Sequence, residues 1–280
     1  MGHHYLPRFY LRGFTTGNTV WVHDRRERRS YPSQPKSVAN ENKLYSEDIE
    51  QHLANAIEDP AKSAIEALRL HQPLDEQQRE ALAHYVIALW KRVPEGRARV
   101  YSGVPEVADS IRQELHAELD ATVAATPHLA DLAEHRKAQV SEVIEKFKIE
   151  PPPEVWHQNL TRDSSPNVVA ALLSMNWRVL ISEGADFLTS DNPVFFFQNE
   201  GIGRPTSELS VPLSSTVVLW AHRRPAPGPL YFTARPEAVR GLNRRVVFNA
   251  TRYVYSQRLE PWMLRFVCKT DHVLTRFIEQ

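Results

Sequence analysis

A single cysteine, Cys268, in a chain of 280 residues leaves no internal disulfide and no Cys-rich metal site to consider. A reducing, cytoplasmic setting is the expectation, and the N-terminus has no basic-then-apolar pattern of a secretory signal. Charge of one sign is also missing. Lys plus Arg and Asp plus Glu each total 34, so no global field draws the chain to nucleic acid or anionic lipid. Nucleic acid is therefore neither supported nor excluded as a partner, and any such binding would be local. Apolar runs such as Val179 to Ile181 and Val194 to Phe197 fall far below the roughly 18 residues that span a bilayer, so no membrane partner is expected. Glycine is scarce too. Gly201-Ile202-Gly203 lacks the third glycine and the flanks of a phosphate-cradling loop, and no His-Glu-x-x-His occurs.

What the chain does have is 42% hydrophobic and 9% aromatic residues, enough for a soluble, globular protein with a substantial core. Its length fits one large domain or two smaller ones. Residues 5 to 35 read as β-like: an aromatic run from Tyr5 to Phe14, a turn cluster over Thr15 to Asn18, and alternation from Thr19 to His23 predict a hairpin. Arg25, Arg26, Arg28 and Arg29 follow, either as a solvated loop or as a grip on phosphates.

From Ser46 the period becomes helical. Ile49, Leu53, Ala56 and Ile57 share a face, Ser46 is a cap, and Asp59-Pro60 reads as the start of a further helix. Asp75 opens a segment with the stripe Leu82, Tyr85, Val86, Leu89, Trp90 and Val93, which Pro94 ends. Residues 106 to 148 predict two outer helices divided at Pro127.

After a short helix over 167 to 175, strands are expected at 177–181, 186–188, 194–197, 217–221, 230–233 and 253–256, with a helix over 237–248. Residues 261–278 are ambiguous between helix and strand. The class is α+β, with a mainly antiparallel sheet built from the N-terminal hairpin and the C-terminal half, around a central helical subdomain. Within one module of residues 1–280, the boundaries are an N-terminal hairpin (1–45), a helical subdomain (46–150) and a strand-rich half (151–280). Return of the hairpin to the C-terminal sheet would bring His4 towards Asp191.

His4-Tyr5-Leu6-Pro7, Tyr10-Leu11, Phe14, Tyr45, Ile57-Glu58, Arg92-Val93-Pro94, Trp177, Thr189 to Pro193 and Asn243 occur in an order that resembles the family called domain of unknown function 4238. The resemblance covers nearly the whole chain. It implies a single full-length module and brings no established activity. Where the family shows Leu-Ser-Pro, this chain has Leu213-Ser214-Ser215, which bears on the turn after that strand.

Ser190, Asp191 and Asn192 place a hydroxyl, a carboxylate and an amide at one turn, either as a self-bonded turn fixed by Pro193 or as ligand contacts. His4 is a candidate general base or metal ligand, or a core histidine; His3 is expected to be exposed. Arg92 could hold a carboxylate or phosphate, or pair internally with Glu58. His4, Asp191 and Glu58 together would make a mixed nitrogen and oxygen site for a divalent metal, the one cofactor to consider. Ser190 sits in no nucleophile elbow, and Cys268 reads as a small hydrophobe. The leading expectation is a hydrolase acting on a phosphate-bearing or nucleic-acid substrate. His4, Asp191 and Glu58 are its catalytic candidates, and Arg92, Ser190, Asn192, Tyr5 and Asn243 its binding candidates. The rival is a binding or regulatory module that uses the helical subdomain as a partner surface.

Overall fold

The aromatic N-terminal run turns helical after its first residues. In the computed structural model, which describes all residues except 1, 43, 163, 198–200, 226–227, 277 and 279–280, strand β1 (Gly2–His4) gives way to helix α1 (Arg8–Leu11) and a 3-10 turn at Arg12–Phe14. Leu6, Tyr10, Leu11 and Phe14 are all fully buried, a spacing that fits a helix face better than a strand. The hairpin lies one step later: β2 (Val20–Asp24) pairs antiparallel with β3 (Arg29–Ser33). The arginine run is its turn. Asp24 Oδ1 accepts the N–H groups of Arg26 and Glu27 at 2.9 and 3.0 Å, and Arg28 takes φ 52°. After a 3-10 turn at Pro35–Ser37, β4 (Asn40–Asn42) pairs antiparallel with β1.

Ser46 caps α2 (Glu47–His52), its hydroxyl accepting from the Ile49 N–H. The helix then widens into a π-helical segment, Leu53–Glu58, and runs on as α3 (Asp59–Arg69). Asp59-Pro60 is therefore no cap: Glu58 and Asp59 are themselves helical, and the expected helix start is the end of the wide turn. α4 (Glu76–Arg92) opens with a capping box between Asp75 and Gln78, and Leu82, Tyr85, Val86, Leu89 and Val93 of its stripe are buried, whereas Trp90 is exposed. Val93 is extended, and Pro94 begins the next helix.

The described residues fall into two units, Met1–Glu95 with Leu160–Gln280, and Gly96–Asn159. The boundary differs from the one drawn on composition, because the helices of residues 46–95 belong with the strands. The smaller unit carries most of α5 (Pro94–Ala125), α6 (Ala130–Ile149) and most of α7 (Pro153–Thr161), with a 3-10 turn at Pro127–Leu129. Ion pairs join α5 to α6: Arg112 to Glu145 at 2.9 Å, Lys148 to Asp109 at 3.1 Å and Lys137 to Asp120 at 2.6 Å.

The larger unit continues with α8 (Pro166–Leu173), β5 (Asn176–Ile181), β6 (Thr189–Ser190), β7 (Phe195–Phe196), β8 (Glu208–Pro212), β9 (Val217–His222), β10 (Tyr231–Thr233), α9 (Pro236–Asn249), β11 (Tyr253–Ser256) and α10 (Met263–Val267). One sheet has the order β10-β5-β9-β8-β7, antiparallel except for the β10–β5 pair; another has the order β3-β2-β11-β6, so the N-terminal hairpin does join C-terminal strands. The fold is α+β. Helix α9 serves two clusters of the core. Ala238, Val239 and Leu242 pack on Leu180, Val218 and Trp220, while Val246, Val247 and Ala250 pack with Leu188, Val254, Met263 and Val267.

Two strand expectations change. β8 escaped reading because Glu208 and Ser210 are polar, yet the whole strand is buried and Glu208 forms a buried ion pair with Arg245 of α9. Residues 186–188 are not a strand. Their backbone is held by the Asn243 side chain and the Ser215 carbonyl instead.

Candidate functional site

Arg92 closes α4 with its side chain 2% exposed, and it reaches the first strand of the chain. Its Nη2 donates to the backbone carbonyl of His4 at 2.6 Å and to the Tyr45 hydroxyl at 3.0 Å, while Nη1 donates to the Glu58 carboxylate. The Tyr45 hydroxyl donates in turn to the same His4 carbonyl at 3.1 Å. Burial works against the Arg92 charge, but Tyr45 and Glu58 outweigh it and hold the pKa above its ordinary value. His4, Glu58 and Arg92 are thus brought together. Arg92 contacts the backbone of His4, and its Glu58 pair makes it a clamp with little left to offer an anion.

The His4 ring is fixed by one bond. Its Nε2 lies 3.2 Å from the Lys36 carbonyl oxygen, which can only accept, so the proton is on Nε2 and the lone pair on Nδ1. No described hydrogen bond engages Nδ1. Burial, then the Arg8 and Arg92 charges, hold the imidazole below its ordinary pKa of 6.5 against the pull of Glu50. At neutral pH the ring is an unprotonated base. His3 is buried rather than exposed: its Nδ1 accepts from the Tyr45 N–H at 3.3 Å, and its ring stacks on Tyr45 with centroids 5.0 Å apart.

Around this centre, three buried polar atoms have no hydrogen-bond partner among the described residues: the Tyr85 hydroxyl, Glu50 Oε2 and Arg92 Nε. Tyr85 feels the charges of both Glu58 and Arg92. Orphaned buried polar atoms are uncommon, and active sites are one of their settings. Glu50, Tyr85 and Arg8 were missed as site residues in the sequence. Only the helical period could have signalled Glu50, which follows the apolar Ile49 on the same turn.

Asp191 does something else. Its Oδ1 accepts the N–H of Thr251 at 2.8 Å, and its Oδ2 accepts those of Arg252 and Tyr253 at 2.7 and 2.8 Å. Burial raises the carboxyl's pKa, and the three donors offset only part of the rise. No described hydrogen bond or ion pair joins Asp191 to His4; its lone pairs tie β6 to the turn before β11. Ser190 Oγ accepts from the Asn192 N–H at 3.2 Å, and the Asn192 amide donates to the Asn249 carbonyl at 3.0 Å. Asn243 bridges α9 to the Leu188 N–H and the Asp186 carbonyl, both at 2.9 Å. These four residues are placed as turn and helix-docking groups.

Tyr5 lies between the two regions, its hydroxyl bonded to Tyr255 and its pKa raised by burial and by the Asp191 charge. The mixed site of His4, Asp191 and Glu58 is not assembled, because Asp191 faces backbone donors and Glu58 faces Arg92. Among the described residues no group of three or more His, Cys, Asp or Glu is arranged to hold a metal ion. Two described cavities, of about 330 and 290 Å³, are lined by other residues, the larger by His52, Glu80 and His84 beside the π-helical segment.

Among the described residues no helix is long and apolar enough to cross a membrane. No curated protein and no solved structure matches the chain. A family model described as a protein of unknown function, DUF4238, matches residues 2–260. The His4 centre and the Asp191 turn both fall within that match, and the chain belongs to the DUF4238 family.

Proposed function

We propose that the chain is a hydrolase of a phosphate-bearing substrate, with His4 Nδ1 as the general base. The observation that carries this reading is the His4 tautomer: the Lys36 carbonyl holds the Nε2 proton, leaving an uncharged, unoccupied Nδ1 beside the cation Arg8. Nδ1 takes a proton from water as its oxygen bonds to phosphorus. The ester oxygen leaves and takes a proton back from the imidazolium. Arg8, which is exposed, contacts the substrate anion, and Glu50 stabilises the imidazolium. Arg92 and Glu58 act as positioning residues, since they hold the His4 backbone and the reacting atoms lie beyond them.

The test is hydrolysis of a simple phosphomonoester, a phosphodiester and single-stranded RNA by the wild type and by His4→Gln. Loss of turnover of at least a hundredfold in a folded His4→Gln protein supports the reading. Equal turnover in both proteins, or none in the wild type on all three substrates, ends it.

A second reading is favoured by one observation on the smaller unit. Val107, Ile111 and Leu115 of α5 are 60%, 45% and 37% exposed at successive helical turns, an apolar stripe suited to a protein partner. If Ile111→Glu abolishes the cellular role while His4→Gln preserves it, the binding-module reading replaces the enzyme.

A further inference from the structure

In the larger unit an exposed tryptophan and several cations lie around α10. Met263 and Val267 bury one side of this short helix against α9, with Val254 of β11 in the same cluster. Trp262 and Arg265 are exposed on the other side, at helical spacing, and exposed Lys269 follows, while Phe266 is half-buried against the same cluster. Trp262 is 48% exposed and meets Phe266 edge-on at 5.6 Å; Phe266 meets the His272 ring at 4.8 Å. The His272 Nε2–H donates to the Phe266 carbonyl at 3.0 Å, which folds the following chain back over α10.

Cations gather at the same place. Burial, and after it the charges of Lys269, Arg244 of α9 and Arg25 just past β2, disfavour the charged form of His272. Arg25 is anchored there, its Nη1 donating to the Ala250 carbonyl at 2.5 Å. Arg25, Arg244 and Arg265 have no ion-pair partner among the described residues, and Lys269 has only the exposed Asp271 at 3.7 Å. The buried Asp191 carboxylate acts on Arg25 and Asp271 lies near Lys269, while Arg244 and Arg265 add two further cations and Trp262 offers an exposed aromatic face.

We propose that this surface, formed by Arg25, Arg244, Trp262, Arg265 and Lys269 with Phe266 backing the Trp262 ring, binds single-stranded nucleic acid. Flat aromatic faces accept stacked bases of any sequence, and guanidinium and ammonium groups beside them track the phosphates. Duplex readout would need an element that enters a groove, and α10 is under two turns long. A helix that short also gives little apolar surface to a bilayer interface. The proposal is independent of the His4 reading. Residues Trp262 to Lys269 lie outside the family-matched stretch of 2–260.

The experiment is fluorescence anisotropy of labelled oligothymidylate and oligouridylate of about 15 nucleotides, titrated with the full chain between 25 and 200 mM salt, roughly the range in which such contacts are lost. Four phosphate contacts predict a log–log salt slope of roughly −3. Trp262→Ala should weaken binding about tenfold or more through lost stacking, and Arg265→Glu with Lys269→Glu should flatten the slope. These residues are exposed, so circular dichroism and melting should match the wild type; any variant that melts early is replaced by Arg244→Gln. Saturable binding that responds to both changes supports the proposal. No binding at the lowest salt overturns it, as does binding unchanged in the variants. Tighter binding to phosphatidylserine vesicles or to polyglutamate than to the oligonucleotides overturns it as well.

Discussion

The Arg92 guanidinium donates to the His4 backbone carbonyl at 2.6 Å, across 88 positions of sequence, while its other nitrogen is held by Glu58. The last turn of α4 thereby fixes the first strand. Removing Arg92 leaves the Glu58 carboxylate, the Tyr45 hydroxyl and the His4 carbonyl short of a donor. Arg92→Ala should cost about 3–5 kcal/mol, the range for breaking a buried pair from one side. Glu58, more exposed, should cost less as Glu58→Gln. Urea denaturation measures both, and a cost below about 1 kcal/mol for Arg92→Ala would contradict the clamp.

Asp191 gives a contrasting expectation. Three backbone donors converge on it, so Asp191→Ala should lower stability by about 3 kcal/mol or more, by analogy with hydrogen bonds to charged groups. His4→Gln should perturb stability much less. If turnover of surviving folded Asp191→Ala protein falls as far as that of His4→Gln, Asp191 acts in the chemistry after all.

The pH dependence of stability should report His23. Its Nε2 donates to Ser256 Oγ at 2.8 Å, since that hydroxyl gives its own proton to the Arg258 carbonyl at 2.6 Å, and its Nδ1 accepts from Ser30 Oγ at 2.8 Å. Burial holds its pKa down to about 4, against 6.5 for the free side chain. The unfolded chain therefore binds the proton first. Stability from this group is fully present above about 6.5 and is lost as pH falls towards 4, by roughly 3 kcal/mol in all. Denaturation midpoints at a series of pH values should show this decline in the wild type and a shallower one in His23→Gln.

Turnover has its own pH signature. The His4 pKa is lowered from 6.5, so the rate should be level above that pH and fall on the acid side with an apparent pKa below it. An inflection above 6.5 would assign the base elsewhere.

Gly13 sits where a side chain has no room. A Cβ there would lie 2.5 Å from the Leu213 carbonyl oxygen and 2.5 Å from Arg69 Nη2, which itself bonds the Leu213 and Tyr10 carbonyls at 2.7 and 3.0 Å. Gly13→Ala should cost about 1–3 kcal/mol or more, read from the thermal midpoint, because a backbone atom cannot step aside as a flexible side chain can.

The sequence carried the class, the helix caps at Ser46 and Asp75, and the joining of β2 to β11, because alternation and capping chemistry are local. It misplaced the first hairpin, since Tyr10, Leu11 and Phe14 fit two periods over so short a stretch. It grouped His4, Glu58 and Arg92 through the family motif without indicating that Arg92 would grip a backbone carbonyl. No pattern of residue types distinguishes a carboxylate aimed at three N–H groups, as in Asp191, from one aimed at a histidine. β8 was hidden for a related reason: Glu208 looks like a surface residue until Arg245, 37 positions away, is seen to neutralise it.

The wide turn at Leu53–Glu58 also makes the segment a matter of counting. An α-helix advances about 100° per residue, and the wide i→i+5 turn takes up about one residue more per turn, so restoring the ordinary winding there with every residue kept would swing everything beyond it by roughly that angle about the helix axis. Glu58 would then point away from Arg92 whatever side chains had been kept. The match between the number of residues from Ser46 to Glu58 and the width of the turn they form is what aims the carboxylate.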